Sequence, residues 1–175
     1  MYNKKSQRDI KNIINSLLKK HNLLYPPVSL DKILEGENIK YLEKDLSSLG
    51  LDDNIDALMY KDKDVNILAV NSRTHLYYER KRFSIAHELG HLFLHFTDNQ
   101  KYYIAFRNNQ GTEGKQQEIE ANIFAANLLM PDEMVEHEYF ELDLPILSTL
   151  AEKFKVSKAA MKIKLDTLQL GYIDV

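Results

Sequence analysis

An α+β fold is predicted for this 175-residue chain by the order of its apolar periodicities. Helical spacing opens the chain, short strand-like runs occupy about 38–71, and helical spacing returns near residue 80 and continues to the end. Those runs can build a small, largely antiparallel sheet packed on the helix that follows it. The first helix falls at about 6–22, where Ile10, Ile13, Ile14, Leu17 and Leu18 share one face and lysines occupy the other. Pro26-Pro27 ends anything helical, and Val28 to Leu34 then reads as a short helix closed by Gly36. Strands are expected at Ile39–Leu42, Ile55–Tyr60 and Val65–Val70, the last two parted by Lys61-Asp62-Lys63-Asp64. A strong helix at about 80–95 carries Phe83, Ile85, Ala86, Leu89, Leu92, Phe93 and Leu94, with Tyr77-Tyr78 before it read as core. The stretch 97–116 is polar, contains Gly111 and Gly114, and reads as a long loop of the kind that often carries function. A second strong helix runs from about Gln116 to Met130 and stops at Pro131. Shorter helices follow near 132–140, 145–155 and 158–169, the last capped by Ser157 and ended by Gly171. The expected organisation is one main unit over 1–140 and a helical hairpin over 141–175 that completes it or is appended to it.

Composition narrows the chemistry. Apolar residues at 44% and charged residues at 28% are ordinary globular usage, so a packed core is expected and disorder is not. A formal charge of -3 gives no overall basic field for nucleic acid. The chain has no cysteine, so disulfides and thiolate metal sites are excluded, and any metal must be held by His, Asp or Glu. The start, Met1-Tyr2-Asn3-Lys4-Lys5-Ser6, shows no secretory pattern and no run approaches a membrane-spanning length, so a cytoplasmic protein without membrane partners is expected.

One motif stands out: His87-Glu88-Leu89-Gly90-His91. Four residues make about one helical turn, so both imidazoles leave the helix on the same face, where two neutral nitrogens suit one Zn²⁺ at about 2.0–2.1 Å. Glu88 lies about 100° around the helix from His87, beside the ligands rather than among them. A carboxylate there can act as general base toward water at the metal in peptide-bond hydrolysis. Gly90 removes a side chain next to the ligands, leaving room for close approach of backbone or substrate. The bland alternative, two satisfied helix histidines beside a surface Glu, fits poorly with the apolar flanks.

A third ligand must come from His95 or from a carboxylate elsewhere. His95 continues the four-residue spacing but lies too far along a straight helix to share one ion comfortably. The metzincin pattern is absent, because Leu94 stands where its glycine would be and Thr97 where its third histidine would be. Glu118 and Glu120 are the better donors. They are two residues apart on a helix, about 200° around its axis, so at most one can face the metal. Spacing alone does not choose between them.

The segment from Arg82 through His87-Glu88-Leu89-Gly90-His91 to His95 resembles the active-site helix of the ImmA/IrrE family of metallo-endopeptidases. A second segment, Glu120-Ala121-Asn122-Ile123-Phe124-Ala125-Ala126-Asn127-Leu128-Leu129-Met130-Pro131, is similar to that family's other signature, and Val70-Asn71 and Leu150 to Ser157 also fit. The resemblance covers about Val28 to Leu170, and two motifs in the right order are far more specific than one. It implies a zincin-like peptidase with one Zn²⁺, with His87, His91 and Glu120 as ligands and Glu88 as catalytic base. It also implies a cytoplasmic bacterial or phage protein that cuts a regulatory protein, often a helix-turn-helix repressor, and so releases genes for stress response or mobile-element induction. Thermolysin-like gluzincins carry an Asp four residues after the Glu ligand. Counted from Glu120 that position is Phe124, which leaves the residues supporting the histidines unassigned.

Hydrolysis also calls for a group that stabilises the transition state. His95, Tyr102, Tyr103 and Arg107 are the candidates, while Arg82 is read as structural or solvated. In the terminal hairpin, Lys153, Lys155, Lys158, Lys162 and Lys164 face only Glu152 and Asp166, which raises direct DNA binding as an option. A helical hairpin with a solvated lysine face and a core of Leu147, Leu150, Phe154, Met161, Leu165 and Leu168 is the preferred reading. The rival to the peptidase is a regulator that keeps the metal but acts by binding protein or DNA without proteolysis. An intact Glu88 favours the enzyme, since a purely structural site has no use for it.

Overall fold

The computed structural model describes residues 4–49, 55–72, 77–96 and 112–174. Helix α1 (Gln7–Lys20) begins with a reciprocal cap: Ser6 Oγ accepts from Asp9 N, and the Asp9 carboxylate accepts from Ser6 N, each at 3.1 Å. Its buried face is Ile10, Ile14, Leu17 and Leu18, as the periodicity required. The short helix α2 (Leu30–Gly36) is capped by Ser29, and its Gly36 faces His21, where a Cβ would meet ring atoms at 2.3 Å and 2.5 Å. The glycine therefore serves close packing at the end of α1, inside the helix it was expected to close.

Three strands follow: β1 (Ile39–Lys44), β2 (Ala57–Asp62) and β3 (Val65–Asn71), with a 3-10 turn at Leu46–Leu49 between the first two. The fold is α+β, and the sheet is mixed, in the order β1-β3-β2. Strands β2 and β3 form the expected hairpin, with Met59 opposite Leu68, whereas β1 pairs parallel to β3, with Ile39 opposite Asn66. The two faces separate at period two. Ala57, Met59, Leu68 and Val70 enter the main core, while Leu58 and Ala69 pack with Leu46 on the other side. The central strand β3 is covered on both faces, which explains its unbroken apolar run Ile67-Leu68-Ala69-Val70.

The remaining elements among the described residues are helices: α3 (Tyr78–His95), α4 (Thr112–Leu129), α5 (Asp132–Phe140), α6 (Leu147–Phe154) and α7 (Lys158–Leu168). Helix α4 starts four residues before the expected Gln116, and Gly114 is buried within it, so packing overrides the poor helix propensity of glycine. Tyr77 and Tyr78 are exposed, at 81% and 58%, and lie at the start of α3 rather than in the core. Arg82 is structural: it is buried and donates from Nη2 to the carbonyl of Val28 at 2.9 Å, tying α3 to the loop before α2.

The terminal hairpin joins the same core through Leu147, Leu150, Phe154, Met161 and Leu165. Ser157 caps α7 by accepting from Ala160 N, but the helix ends at Gln169, held in the left-handed region at φ 58°, two residues before the expected Gly171. One of its lysines, Lys164, is not solvated, and the exposed Lys153 is ion-paired. Lys164 is buried against Asn127 Oδ1 at 3.0 Å and pairs with Asp132, and Lys153 pairs with Glu138. These contacts spend basic charge on fixing the hairpin to α4 and α5, and leave less of it for a DNA-facing surface. Among the described residues, no helix is long and apolar enough to cross a membrane.

Candidate metal centre

The four-residue spacing on α3 lines up His87, His91 and His95 along one face. The Nε2 atoms of His87 and His91 lie 3.0 Å apart. Helix α4 brings Glu118 to the same point, with one carboxylate oxygen 3.3 Å from His87 Nε2 and the other 3.2 Å from His91 Nε2. Among the described residues, these three form the group of side chains whose donor atoms converge enough to hold an ion, all lying within 4.8 Å of one another. Bonds of about 2.0–2.1 Å to a tetrahedral ion set neighbouring ligand atoms about 3.3 Å apart. The donor set, two imidazoles and a carboxylate, therefore fits zinc in both chemistry and spacing.

Glu120, which the resemblance implied as the third ligand, turns elsewhere. Its Oε2 lies 3.2 Å from His95 Nε2, and its Oε1 accepts from Lys5 N and from Gln116 Nε2, each at 3.1 Å. The reason is helical geometry. With about 200° between positions 118 and 120, only one carboxylate can meet the histidine pair. Glu118 takes that place, and Glu120 is buried against the end of α3 and the start of α1.

The supporting residue that the sequence reading left unassigned is Asn122. Its Oδ1 lies 3.0 Å from His87 Nδ1. An amide oxygen accepts, so Nδ1 carries a proton, which leaves Nε2 as the nitrogen that a metal would meet on the side of Glu118 and His91. A signal for it was present: Glu118 and Asn122 repeat, on α4, the four-residue spacing of His87 and His91 on α3. Counted from Glu118 rather than Glu120, the polar partner stands where the gluzincin pattern expects one.

Electrostatics agree with an anionic donor beside imidazoles. Hydrogen bonds from His87 and His91 hold the Glu118 carboxyl well below the usual carboxylate range, against the opposing effect of burial. For His87, burial favours the neutral ring, but the Glu118 hydrogen bond, the charges of Glu88 and Glu118 and the Asn122 contact outweigh it and raise its pKa above 6.5. Burial, with His91 adding to it and Glu120 opposing, lowers the pKa of His95 to about 4, so this ring is neutral at physiological pH. A metal must displace the His87 proton. Zinc affinity is therefore expected to fall as pH drops through a window that begins above 6.5, by up to about tenfold per pH unit for each proton displaced. Zinc titrations at stepped pH measure this, and affinity unchanged between pH 8 and pH 6 would contradict it.

Glu88 lies on the sheet side of the cluster. It is 5% exposed, and its Oε2 accepts from Met59 N at 3.0 Å. Among the described residues strand β2 is an edge of the sheet, so this N–H serves α3 rather than the ladder to β3 and holds the carboxylate beside the histidines. Gly90 lets the two site helices approach. A Cβ there would lie 3.1 Å from Ala121 Cα, Ala121 O and Phe124 Cβ, so the backbone of α4, rather than substrate, occupies the space. Gly90→Val is expected to cost about 1–3 kcal/mol by overpacking and to weaken zinc binding by spreading α3 from α4. Thermal unfolding with and without zinc checks both effects. Of the candidates for transition-state stabilisation, His95 is buried beside Glu120, and Tyr102, Tyr103 and Arg107 lie outside the described residues.

The profile of the Peptidase_M78 family, described as the IrrE N-terminal-like domain, matches residues 40–166. No curated protein matches the chain. Among solved structures, the fold is similar to that of a Mycobacterium tuberculosis transcriptional regulator, with a TM-score of 0.61 at 18% identity. The match covers 93% of this chain and 47% of that one, so the chain spans about half the length of the regulator.

Proposed function

We propose that this chain, which belongs to the Peptidase_M78 family of IrrE N-terminal-like domains, is a zinc-dependent endopeptidase acting on a regulatory protein. The observation that carries the reading is the convergence of His87, His91 and Glu118 on one point with Glu88 beside it. His87, His91 and Glu118 would hold the ion, and Glu118 takes the ligand role in place of Glu120. Bound there, zinc supplies a Lewis acid that polarises a carbonyl and lowers the pKa of water. Glu88, held by Met59 N–H, receives a proton from the attacking water and returns it to the leaving amine. Asn122 orients His87.

A peptide in extended form can lie along β2, the edge strand next to Glu88. Phe83 stands one turn before His87, with ring centroids 6.5 Å apart, and opens an apolar hollow shared with Leu129, Met130, Val156 and Ala160. An apolar substrate side chain fits that lining. A target among DNA-binding repressors is what the family resemblance of the two helical motifs implies. The test is a survey of new protein N-termini in cells making the chain or its Glu88→Gln variant. One regulator cut only by the active form, and spared when zinc is chelated, is expected. A second reading, a regulator that acts by binding alone, requires that both forms have the same biological effect.

A further inference from the structure

The most buried polar contacts near the centre lie outside the three converging donors. His95 and Glu120 have side chains 0% and 1% exposed, and they form a line leading away from His91. His91 Nδ1 is 3.1 Å from His95 Nδ1, and His95 Nε2 is 3.2 Å from Glu120 Oε2. The other Glu120 oxygen is held by Lys5 N and Gln116 Nε2, so the line is anchored to the start of α1 and to the preceding turn of α4.

Proton positions along this line follow one from another. As a carboxylate, Glu120 only accepts, so His95 must carry its proton on Nε2. A neutral His95 then has a bare Nδ1, which also only accepts. His91 must therefore donate from Nδ1, which leaves its Nε2 lone pair free on the side of Glu118 and His87. His87 reaches the same state by a shorter route, through Asn122. Water cannot readily replace the longer line, because both of its members are sealed from solvent.

We infer that Glu120 and His95 are positioning residues, a buried relay that fixes the tautomer and ring orientation of His91 so that its Nε2 faces the metal. This rests on the metal reading above and gives Glu120 a different task from the one its motif suggested. The geometry also couples the centre to the N-terminal segment, since Lys5 N holds the far end of the relay.

Zinc itself is the probe, added to the full chain and measured by competition with a chromophoric chelator. His95→Phe, which keeps a ring but removes both nitrogens, is expected to weaken zinc binding about 10–100-fold. His95→Gln, whose amide oxygen can still accept from His91, is expected to recover most of that loss. In nitrogen-15 spectra of the zinc-loaded protein, the His91 Nδ1 proton should be protected from exchange in the wild type and lost to solvent in His95→Phe. A general packing defect would not be repaired by glutamine and would not move that one proton selectively. Glu120→Ala gives a second route to the same fall in affinity if the phenylalanine variant does not fold. Wild-type affinity in the two disrupting variants, or an unprotected His91 Nδ1 proton in the wild type, overturns the relay while leaving the metal centre standing. Failure of the wild type to bind zinc overturns both.

Discussion

Glu118→Ala is expected to leave the protein folded but unable to retain zinc. Glu118 is one of three donors and the only anionic one among them, and its two oxygens bridge His87 and His91 at 3.3 Å and 3.2 Å. Without it the two imidazoles keep their spacing, but two neutral ligands hold a dication poorly. The loss should exceed the 10–100-fold or so that follows removal of a supporting group. Fold should survive, because the side chain is partly exposed at 43% and its neighbours on α4 pack through Ala121, Phe124 and Ala125. Metal content after dialysis and circular dichroism together measure this. The comparison with Glu120→Ala is decisive for the assignment: that variant should bind zinc more weakly than wild type yet better than Glu118→Ala. The reverse order would restore Glu120 as ligand.

Glu88→Gln is expected to separate chemistry from metal binding. The glutamine amide oxygen can still accept from Met59 N–H, so the contact between α3 and β2 and the positions of His87 and His91 should persist. What disappears is a group able to take up and return a proton. General base catalysis contributes about 10²–10⁴-fold, which corresponds to about 3–5.5 kcal/mol of transition-state stabilisation. Cleavage of the regulator found by N-terminal profiling should fall by at least that factor in kcat/KM, with zinc stoichiometry unchanged. Cleavage at the wild-type rate would remove Glu88 from the mechanism.

These two experiments concern residues of differing legibility in the sequence. His87, Glu88 and His91 could be read directly, because a helix converts a four-residue interval into a shared face regardless of what surrounds it. The choice between Glu118 and Glu120 could not be made in that way, since both sit on the same helix and its rotation about its own axis is set by packing. Gly90, pressed against Ala121 and Phe124, is part of what sets that rotation. The polar spacing from Glu118 to Asn122 favours Glu118, against the motif that begins at Glu120.

Elsewhere the limits are those of non-local contact. The strand segments were legible as short apolar runs between turn-forming residues, but the parallel pairing of β1 with β3 was not, because nothing local to Ile39–Lys44 specifies a partner beyond the neighbouring strand. Lys164 looked like a solvated lysine because its counter-charge, Asp132, lies on another helix. Tyr77 and Tyr78 looked like core by composition, yet they stand in the exposed first turn of α3.

Crystals of the full chain grown with zinc, with diffraction recorded on both sides of the zinc absorption edge, test the central claim most directly. The account expects one anomalous peak bonded at about 2.0–2.2 Å to His87 Nε2, His91 Nε2 and a Glu118 oxygen, with Glu120 still on His95. A peak bonded to Glu120, or none between the two imidazoles, would contradict it.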